Sequence, residues 1–206
     1  VDLSRVRLFL SGGNFLPTAT AEKFHRRYGQ PIRQTYGGTE AGSVAWDCAE
    51  PDRAVPGSVG HPLQGVDVRI LDGDGRPVSV GTVGEIAVRG PAVMTGYVNR
   101  PDLTAQVLVA GWYHTGDLGR FDEDGRLHIT GRTNLLIDSG GRKVNPLEVE
   151  SVLVSHDLVS QAMVAGVGTA TGDHMLVAVV VPTGRVTAQE LRRYCRERLT
   201  DYKVPQ

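Results

Sequence analysis

Three glycine-punctuated polar blocks, in a fixed order along the chain, constrain this sequence more than any other feature. The first block is Tyr36-Gly-Gly-Thr-Glu40, the second spans residues 111–119, and the third spans residues 140–150, shortly after Gly131 and Arg132. Glycine lacks the Cβ that would hold a phosphate or a purine ring away from the backbone. Thr, Asp, Glu and Arg supply the hydroxyl, carboxylate and guanidinium groups that bind ribose, metal and phosphate. The three blocks together therefore predict a nucleotide-binding site.

Composition places the chain among globular proteins. Its 206 residues are 40% hydrophobic, which is enough to bury a core in one large or two small domains. The net charge is -1 and the basic residues are scattered, so we expect no nucleic-acid partner. The one basic cluster lies at helical spacing, and we interpret it as a solvated helix face. It consists of Arg192, Arg193, Arg196 and Arg198.

The cysteines and the hydropathy pattern argue against disulfide-rich, zinc-binding and transmembrane proteins. Cys48 and Cys195 are far apart, with no Cys or His at metal-ligand spacing, so neither a disulfide framework nor a zinc site is predicted. Cys195 falls on the apolar side of a predicted helix, as a core residue does. No run reaches the length of a membrane span and no signal segment is present, so we expect a cytoplasmic protein without a transmembrane segment. The start at Val1 suggests a fragment of a longer protein.

The first part of the chain predicts an α/β arrangement. A short apolar run over residues 6–10 ends in Ser11-Gly-Gly13, residues 17–28 have a helical pattern, and residues 32–36 are predicted to form a second strand that ends in Gly37-Gly38. Glycines at both strand ends predict one shared crevice, which is where open α/β sheets bind ligands.

From residue 66 onward, the residue pattern predicts a β-rich region. Residues 66–71 and 84–89 alternate around a tight turn at residues 72–75, and a second turn at residues 122–125 leads into a strand over residues 127–130. A short helix within residues 99–109 interrupts this run.

A second unit is predicted after Arg132. It begins with a hairpin over residues 136–144 and continues with a helix capped by Asn145, with Pro146 at its first position. Strands over residues 161–167 and 175–181 follow, and Thr187 with Glu190 forms a capping box for a last helix. The predicted fold class is thus α/β and α+β. Residues 1–132 form the end of a large α/β domain with a β-rich subdomain, and residues 133–206 form a small, truncated α+β domain.

The order of the blocks and the residues within them resemble the adenylate-forming superfamily. This superfamily includes acyl-CoA synthetases, the adenylation domains of peptide synthetases, and luciferases. The resemblance covers essentially the whole chain, and three blocks in order are far more specific than any one of them. It implies a parent enzyme that joins a carboxylic acid to the α-phosphate of ATP with the help of Mg²⁺, releases pyrophosphate, and passes the acyl group to coenzyme A. It also implies that the family's phosphate loop lies upstream of Val1 and its catalytic lysine beyond residues 202–205, so Lys203 is not that lysine.

The resemblance assigns the magnesium and the phosphates to the end of the first block. Glu40 would bind the Mg²⁺ that bridges the nucleotide phosphates, and Thr39 would face those phosphates, so both are candidate catalytic residues. One carboxylate with several waters suits Mg²⁺. The alternative for Glu40 is a helix-start glutamate that follows a glycine turn.

The adenine site is assigned to the two predicted strand ends. By resemblance, Tyr36 stacks on adenine and Gly37 follows it, while Gly12 and Gly13 pass along the opposite edge of the base. The alternative for Tyr36 is ordinary core packing of an aromatic residue at a strand end.

The ribose contacts are assigned to the second block and to the residue that precedes the second unit. Asp117 would accept hydrogen bonds from both ribose hydroxyls, and Arg132 would contact ribose or phosphate. The alternatives are a turn or capping role for Asp117 and an ordinary surface position for Arg132.

The third block is assigned to the thiol acceptor. By resemblance, Gly140, Gly141 and Lys143 belong to a hairpin that enters the active site for the second half-reaction, where the glycines let a pantetheine arm pass. The alternatives are a plain hairpin turn and a solvated lysine. The family usually places Asp or Lys at the pivot between the domains, where this chain has Leu135.

By resemblance, the residues of the third block favour the acyl-CoA synthetase branch, because a double glycine and a proline occur within residues 137–146. Two alternatives stay open: an adenylation domain of a peptide synthetase, and a truncated, non-catalytic nucleotide-binding or interaction remnant. The small residues of Ala41-Gly-Ser-Val-Ala45 could leave room for an acyl or aryl group, but the sequence does not name the acid.

Overall fold

The computed structural model describes residues 3, 5–14, 16–48, 54–168 and 174–206. The chain divides into two compact units, Val1–Thr130 and Gly131–Gln206. This division falls just before Arg132, the residue at which the sequence predicts the domain boundary. The first and second units are described separately below.

The first unit contains a small sheet that carries the first block. Strands β1 and β2 are parallel, with Ser11 opposite Gln34, and the helix α1 connects them. β2 continues past this pairing and is antiparallel to β3, which is antiparallel to β4. The carboxyl ends of β1 and β2 therefore lie at the same edge of the sheet, as the sequence predicts. The elements are β1 (Phe9–Ser11), α1 (Thr18–Tyr28), β2 (Ile32–Gly38), β3 (Gly42–Trp46) and β4 (His61–Pro62).

A second sheet carries the second block. Its strand order is β5-β6-β8-β7, with antiparallel neighbours, and β9 also pairs with β8. The last two residues of β9 belong to the second unit. The elements are β5 (Asp67–Leu71), β6 (Gly84–Arg89), α2 (Pro101–Val107), β7 (Leu108–Val109), β8 (Trp112–Phe121) and β9 (Leu127–Arg132).

Both predicted turns of this sheet are present and are built alike. Oδ1 of Asp72 accepts hydrogen bonds from the backbone N–H groups of Asp74 and Arg76, and Oδ1 of Asp122 accepts them from those of Asp124 and Arg126. In each turn the aspartate side chain replaces a backbone acceptor, which is why the Asp-X-Asp-Gly-Arg pattern marks a tight turn.

The small residues that follow Glu40 pack inside the first unit. Ala41, Val44 and Ala45 are almost fully buried in its hydrophobic core, and only Ser43 of that run is exposed. The expectation that this run leaves room for an acyl or aryl group stays a prediction. The buried members of the core are Ala41, Val44, Ala45, Val59, Ile70, Ile86, Val88, Tyr113 and Leu127.

The second unit consists of two hairpins and two helices, and a short 3-10 helix lies at each end. The hairpins are antiparallel. The elements are a 3-10 helix (Thr133–Leu135), β10 (Ile137–Ser139), β11 (Arg142–Val144), α3 (Pro146–Val154), β12 (Val159–Gly168), β13 (His174–Pro182), α4 (Ala188–Arg196) and a 3-10 helix (Asp201–Lys203).

The predicted helix caps of the second unit are confirmed. Oδ1 of Asn145 accepts a hydrogen bond from the N–H of Leu147 at 3.1 Å, and Thr187 with Glu190 forms a capping box. A Cβ at Gly131 would lie 2.5 Å from the side-chain nitrogen of Asn145, so the cap residue packs directly on that glycine.

Helices α3 and α4 bury their apolar faces against the β12–β13 hairpin. Val149 and Leu153 are buried on α3, and Cys195 is fully buried on α4, as predicted, without a disulfide. The buried members of this core are Val144, Val149, Leu153, Val159, Val164, Leu176, Leu191, Cys195 and Val204. None of the helices in the described residues is long and apolar enough to cross a membrane.

Candidate active site

In the first unit, the first and second blocks meet at a tyrosine–carboxylate contact. The hydroxyl of Tyr36, on β2, donates a hydrogen bond of 2.7 Å to Oδ2 of Asp117, on β8. Burial and then the negative charge of Asp117 raise the pKa of Tyr36 far above its ordinary value, so the hydroxyl keeps its proton and acts as a donor. Tyr36 is also packed in part against the core of the first unit. Two residues that are 81 positions apart thus form one polar pair.

Asp117 is held in place by its own strand. Its side chain is buried, with 7% of the residue exposed. Its N–H donates to the hydroxyl of Thr115 at 3.0 Å, and that hydroxyl donates to the backbone oxygen of Ile86, on β6, at 2.9 Å. The threonine thus ties Asp117 to the neighbouring strand. A turn or helix-cap role for Asp117 is wrong, because the residue lies within the ten-residue strand β8.

Glu40 lies in the turn that connects β2 to β3. No helix begins there, so the alternative of a helix-start glutamate is wrong. Its backbone oxygen accepts a hydrogen bond of 2.7 Å from the N–H of Met94, and its Oε1 accepts one of 3.0 Å from the hydroxyl of Tyr97. Thr39 is exposed in the same turn.

Tyr113 lies close to both carboxylates. Burial raises its pKa first, and the charges of Glu40 and Asp117 raise it further. Tyr97 is another of the nearby groups that raise the pKa of Tyr113. Glu40 and Asp117 are therefore two ends of one polar cluster that contains three tyrosines, which we call the tyrosine–carboxylate cluster: Tyr36, Glu40, Tyr97, Tyr113 and Asp117.

Two glycines of the predicted adenine site, Gly12 and Gly37, are needed for close packing. A Cβ at Gly37 would lie 2.2 Å from the backbone oxygen of Gly42, and one at Gly12 would lie 2.7 Å from Cγ2 of Thr35. Gly13 has a φ of +80°, which a side chain rarely allows. Their proposed contacts with adenine stay predictions, since strand packing alone accounts for Gly12 and Gly37.

Four predicted site residues belong to the second unit. Arg132 ends β9, and Gly140 and Gly141 form the turn between β10 and β11, with φ values of +61° and +74°. The ammonium group of Lys143 donates to Oδ2 of Asp138 at 2.9 Å, and this pairing lowers the pKa of Asp138. The structure confirms the predicted hairpin turn, while the ligand contacts of these residues stay predictions.

Lys203 is paired with an acidic residue of helix α3. Its ammonium group lies 2.7 and 2.8 Å from the two carboxylate oxygens of Glu148. This ion pair lies within the second unit, and its carboxylate is exposed. That Lys203 is not the catalytic lysine stays a prediction.

The donors around Glu40 suit magnesium better than a metal held by a protein cage. The described residues contain no group of three or more His, Cys, Asp or Glu side chains that could enclose an ion. Magnesium usually binds through one or two carboxylates, several waters and the substrate phosphates. A single carboxylate beside an exposed threonine hydroxyl therefore fits this ion.

Sequence reasoning missed Tyr97 as a site residue and did not single out Tyr113. Tyr113 stands inside the second block, four residues before Asp117. Tyr97 lies between the β-rich strands, next to Gly96, in a segment with no recognisable polar block. Its position beside Glu40 depends on contacts between residues 57 positions apart, so no local pattern reports it.

Comparison with known families and structures agrees with this architecture. The family described as AMP-binding enzyme matches residues 1–98, and the family described as AMP-binding enzyme C-terminal domain matches residues 148–206. The chain belongs to the adenylate-forming superfamily of AMP-binding enzymes.

Two curated relatives are CoA ligases. The 2-succinylbenzoate–CoA ligase of Bacillus cytotoxicus is 41% identical over 203 residues, which are 98% of this chain and 42% of the relative. The long-chain-fatty-acid–CoA ligase of Yersinia pestis is 40% identical over 206 residues, which are 100% of this chain and 37% of the relative. The chain thus spans about two fifths of the length of these relatives.

Two solved structures confirm the mixed α/β, β-rich fold. The amide bond synthetase McbA from Marinactinospora thermotolerans matches with a TM-score of 0.90 and 37% identity, over 100% of this chain and 43% of that protein. The o-succinylbenzoate CoA synthetase of Bacillus subtilis, in complex with the acyl-adenylate OSB-AMP, matches with a TM-score of 0.84 and 38% identity, over 97% of this chain and 41% of that protein.

Proposed function

We propose that the complete natural protein is an AMP-forming acid–thiol ligase. It activates a carboxylic acid with ATP as an acyl-adenylate and transfers the acyl group to coenzyme A. The observation that carries this proposal is the tyrosine–carboxylate cluster, which joins a ribose-binding candidate, Asp117, to a magnesium-binding candidate, Glu40. The CoA ligase relatives support the same reaction.

Within the first unit, Asp117 and Tyr36 have roles that their geometry suits. Asp117, oriented by Tyr36, accepts hydrogen bonds from the ribose hydroxyls of ATP or AMP, and the ring of Tyr36 packs on adenine beside Gly12, Gly13 and Gly37. Arranging acceptors before the substrate arrives reduces the entropy lost on binding.

The turn after β2 binds the phosphates of the nucleotide. Thr39 donates a hydrogen bond to a phosphate, and Glu40 holds Mg²⁺ through its carboxylate. When bound, Mg²⁺ neutralises phosphate charge that develops during displacement of pyrophosphate.

The second unit supplies the remaining roles in this proposal. Arg132 contacts ribose or phosphate, while Gly140, Gly141 and Lys143 serve the coenzyme A step. With φ values of +61° and +74°, the two glycines present a turn without side chains, along which a thin pantetheine arm can lie.

The carboxylic acid remains open between two kinds. One relative is named for 2-succinylbenzoate and another for long-chain fatty acids, and the two are almost equally similar to this chain. A cytoplasmic location and the absence of a nucleic-acid partner remain predictions.

A second candidate is an adenylate-forming enzyme that delivers the acyl group to an amine. The similarity to the amide bond synthetase McbA over the whole chain favours this alternative. Both candidates share the adenylation half-reaction and differ only in the acceptor.

The test is ATP–pyrophosphate exchange by the complete natural protein, with 2-succinylbenzoate and palmitate as the acids. We expect exchange that depends on one acid, and Asp117→Ala should lower it more than tenfold, because a charged hydrogen bond contributes about 1.5–3 kcal/mol. Adding coenzyme A or an amine then identifies the acceptor. Acid-independent ATP binding without exchange would support the non-catalytic remnant instead.

A further inference from the structure

Glu40 is fixed by a segment that none of the proposed roles uses. Residues 94–97 lie along the turn that carries Glu40. The N–H of Met94 binds the backbone oxygen of Glu40 at 2.7 Å, and the hydroxyl of Tyr97 binds its Oε1 at 3.0 Å. The same segment therefore holds both the backbone and the side chain of this glutamate.

The segment is itself anchored to helix α2. The N–H of Tyr97 donates to the hydroxyl of Thr104 at 2.9 Å, and this hydroxyl donates to the backbone oxygen of Arg100 at 2.9 Å. The N–H of Arg100 in turn binds the backbone oxygen of Tyr97 at 3.2 Å. The backbone of Tyr97 is thus held at the start of this helix by two hydrogen bonds, and the third bond ties Thr104 to Arg100.

A second tyrosine stands behind the first. Burial, and then the nearby groups Glu40 and Tyr97, raise the pKa of Tyr113, of which 8% is exposed. Tyr113 therefore lies beside both residues. A buried side chain next to Tyr97 limits the positions that its ring can adopt.

This support matters because a glutamate in a turn has many side-chain conformations. Ordering such a side chain costs about 1.5–2 kcal/mol of conformational entropy. In the described residues the Tyr97 hydroxyl binds Oε1, and no donor there contacts Oε2. The fixed carboxylate therefore presents its second oxygen to a ligand.

We propose that Tyr97, supported by Tyr113, is a positioning residue that orients Oε2 of Glu40 toward the divalent cation. This inference rests on the proposed function, because it takes Glu40 as the cation ligand. Partners that orient a metal ligand commonly change metal affinity 10–100-fold when removed.

The experiment measures Mn²⁺ affinity directly, without turnover. Mn²⁺ is titrated into the complete natural protein with ATP and no carboxylic acid, and bound Mn²⁺ is followed by electron paramagnetic resonance. The variants are Tyr97→Phe, Glu40→Gln and the double variant. Tyr194→Phe is the matched control, because it also removes a hydrogen-bonded hydroxyl, at 3.1 Å from Ser155 in the second unit.

We expect Tyr97→Phe to raise the Mn²⁺ dissociation constant about tenfold, whereas Tyr194→Phe leaves it unchanged. In the Glu40→Gln background, Tyr97→Phe should have no further effect, since a positioning residue acts only through the ligand that it orients. Equal losses in both backgrounds, or no loss in the wild-type background, would overturn the inference.

The two proposals fail in different ways. If Glu40→Gln leaves Mn²⁺ affinity unchanged, the magnesium role of Glu40 in the proposed function is wrong, and the positioning role falls with it. If Glu40→Gln weakens binding but Tyr97→Phe does not, only the positioning role is wrong. Should Tyr97→Phe fail to fold, Thr104→Val replaces it in the same cycle, because it removes the hydroxyl that binds the N–H of Tyr97.

Discussion

The hydroxyl of Tyr36 donates a hydrogen bond of 2.7 Å to Oδ2 of Asp117 and so joins two strands from different sheets. β2 supplies the donor and β8 supplies the acceptor. The ribose-binding candidate is thereby oriented by the residue that we propose to stack on adenine. One contact therefore couples the position of the base to the position of the sugar.

The first prediction concerns this coupling. Tyr36→Phe keeps the ring but removes the donor, so the dissociation constant for AMP should rise about fivefold, as for a hydrogen bond of about 1 kcal/mol. Isothermal titration with AMP measures it. Tyr28→Phe is the control, because in the part of the chain that the structure describes the hydroxyl of Tyr28 accepts a hydrogen bond from Arg27 alone, at an exposed helix end. If Tyr36→Phe also leaves AMP binding unchanged, the hydroxyl does not orient the site.

The second prediction concerns the turn after β2. A Cβ at Gly37 would lie 2.2 Å from the backbone oxygen of Gly42, so Gly37→Ala forces the hairpin apart. We expect a loss of about 2–3 kcal/mol in the free energy of unfolding. Urea unfolding followed by tryptophan fluorescence reports on this unit, because Trp46 and Trp112 are the protein's two tryptophans.

Gly73→Ala is the matched control for that substitution. A Cβ at Gly73 meets nothing within 4 Å, so the change should stay within about 0.5 kcal/mol of wild type. A Gly37→Ala protein as stable as the control would mean that the hairpin opens at little cost.

The third prediction concerns the acid stability of the turn before β9. Partial burial opposes ionisation of Asp122, but the hydrogen bonds from His128 and from the N–H of Arg126 outweigh it and lower the pKa of Asp122. A carboxyl whose pKa is lower in the folded state stabilises the protein above its unfolded value of about 3.9. That stabilisation is lost as the pH falls below about 4 through the folded pKa.

Asp122→Asn should therefore lower the melting temperature by about 2–4 °C at pH 7 and by less near pH 2. Thermal unfolding between pH 2 and pH 7 measures the difference. Asp72→Asn is the control, since Asp72 accepts the same two turn hydrogen bonds without a histidine partner. A difference that stays constant across this pH range would remove ionisation of Asp122 as the cause.

The fourth prediction separates the two half-reactions. Gly141 has a φ of +74° and open space around its Cβ position, so a leucine there strains the backbone and fills the turn that we propose for pantetheine. Gly141→Leu should lower thioester formation more than tenfold and leave pyrophosphate exchange within about twofold. Gly141→Asn is the control, because asparagine tolerates this backbone conformation. Equal losses in both half-reactions would contradict a role limited to the acceptor.

Local signals in the sequence predicted most of the elements. Helix α3 was found through Asn145 and Pro146, and helix α4 through the Thr187 capping box, since caps and first-turn residues act over a few positions. The antiparallel strands of the second sheet were found through the two aspartate turns that connect them. The candidate site was found as three separate blocks, because glycine and a polar side chain mark each of them locally.

Non-local pairing accounts for what the sequence did not reveal. No strand is predicted for residues 112–121, which contain two glycines, yet they form strand β8, because β6 and β7 supply its hydrogen bonds from both sides. The sequence does not show that Ala41, Val44 and Ala45 pack in the core of the first unit, where all three are buried. The contact of Tyr97 with Glu40 likewise depends on tertiary structure alone.

The packing of Asn145 on Gly131 has a consequence for recombining this protein with its relatives. If a hybrid gene is joined after Arg132, the relative supplies residue 131 and this chain supplies Asn145, the cap of helix α3. Any side chain that the relative has at position 131 then collides with Asn145. A junction before Gly131 transfers the glycine and the cap together. The segment that can be exchanged with a relative therefore starts at Gly131, one residue before the arginine that ends β9.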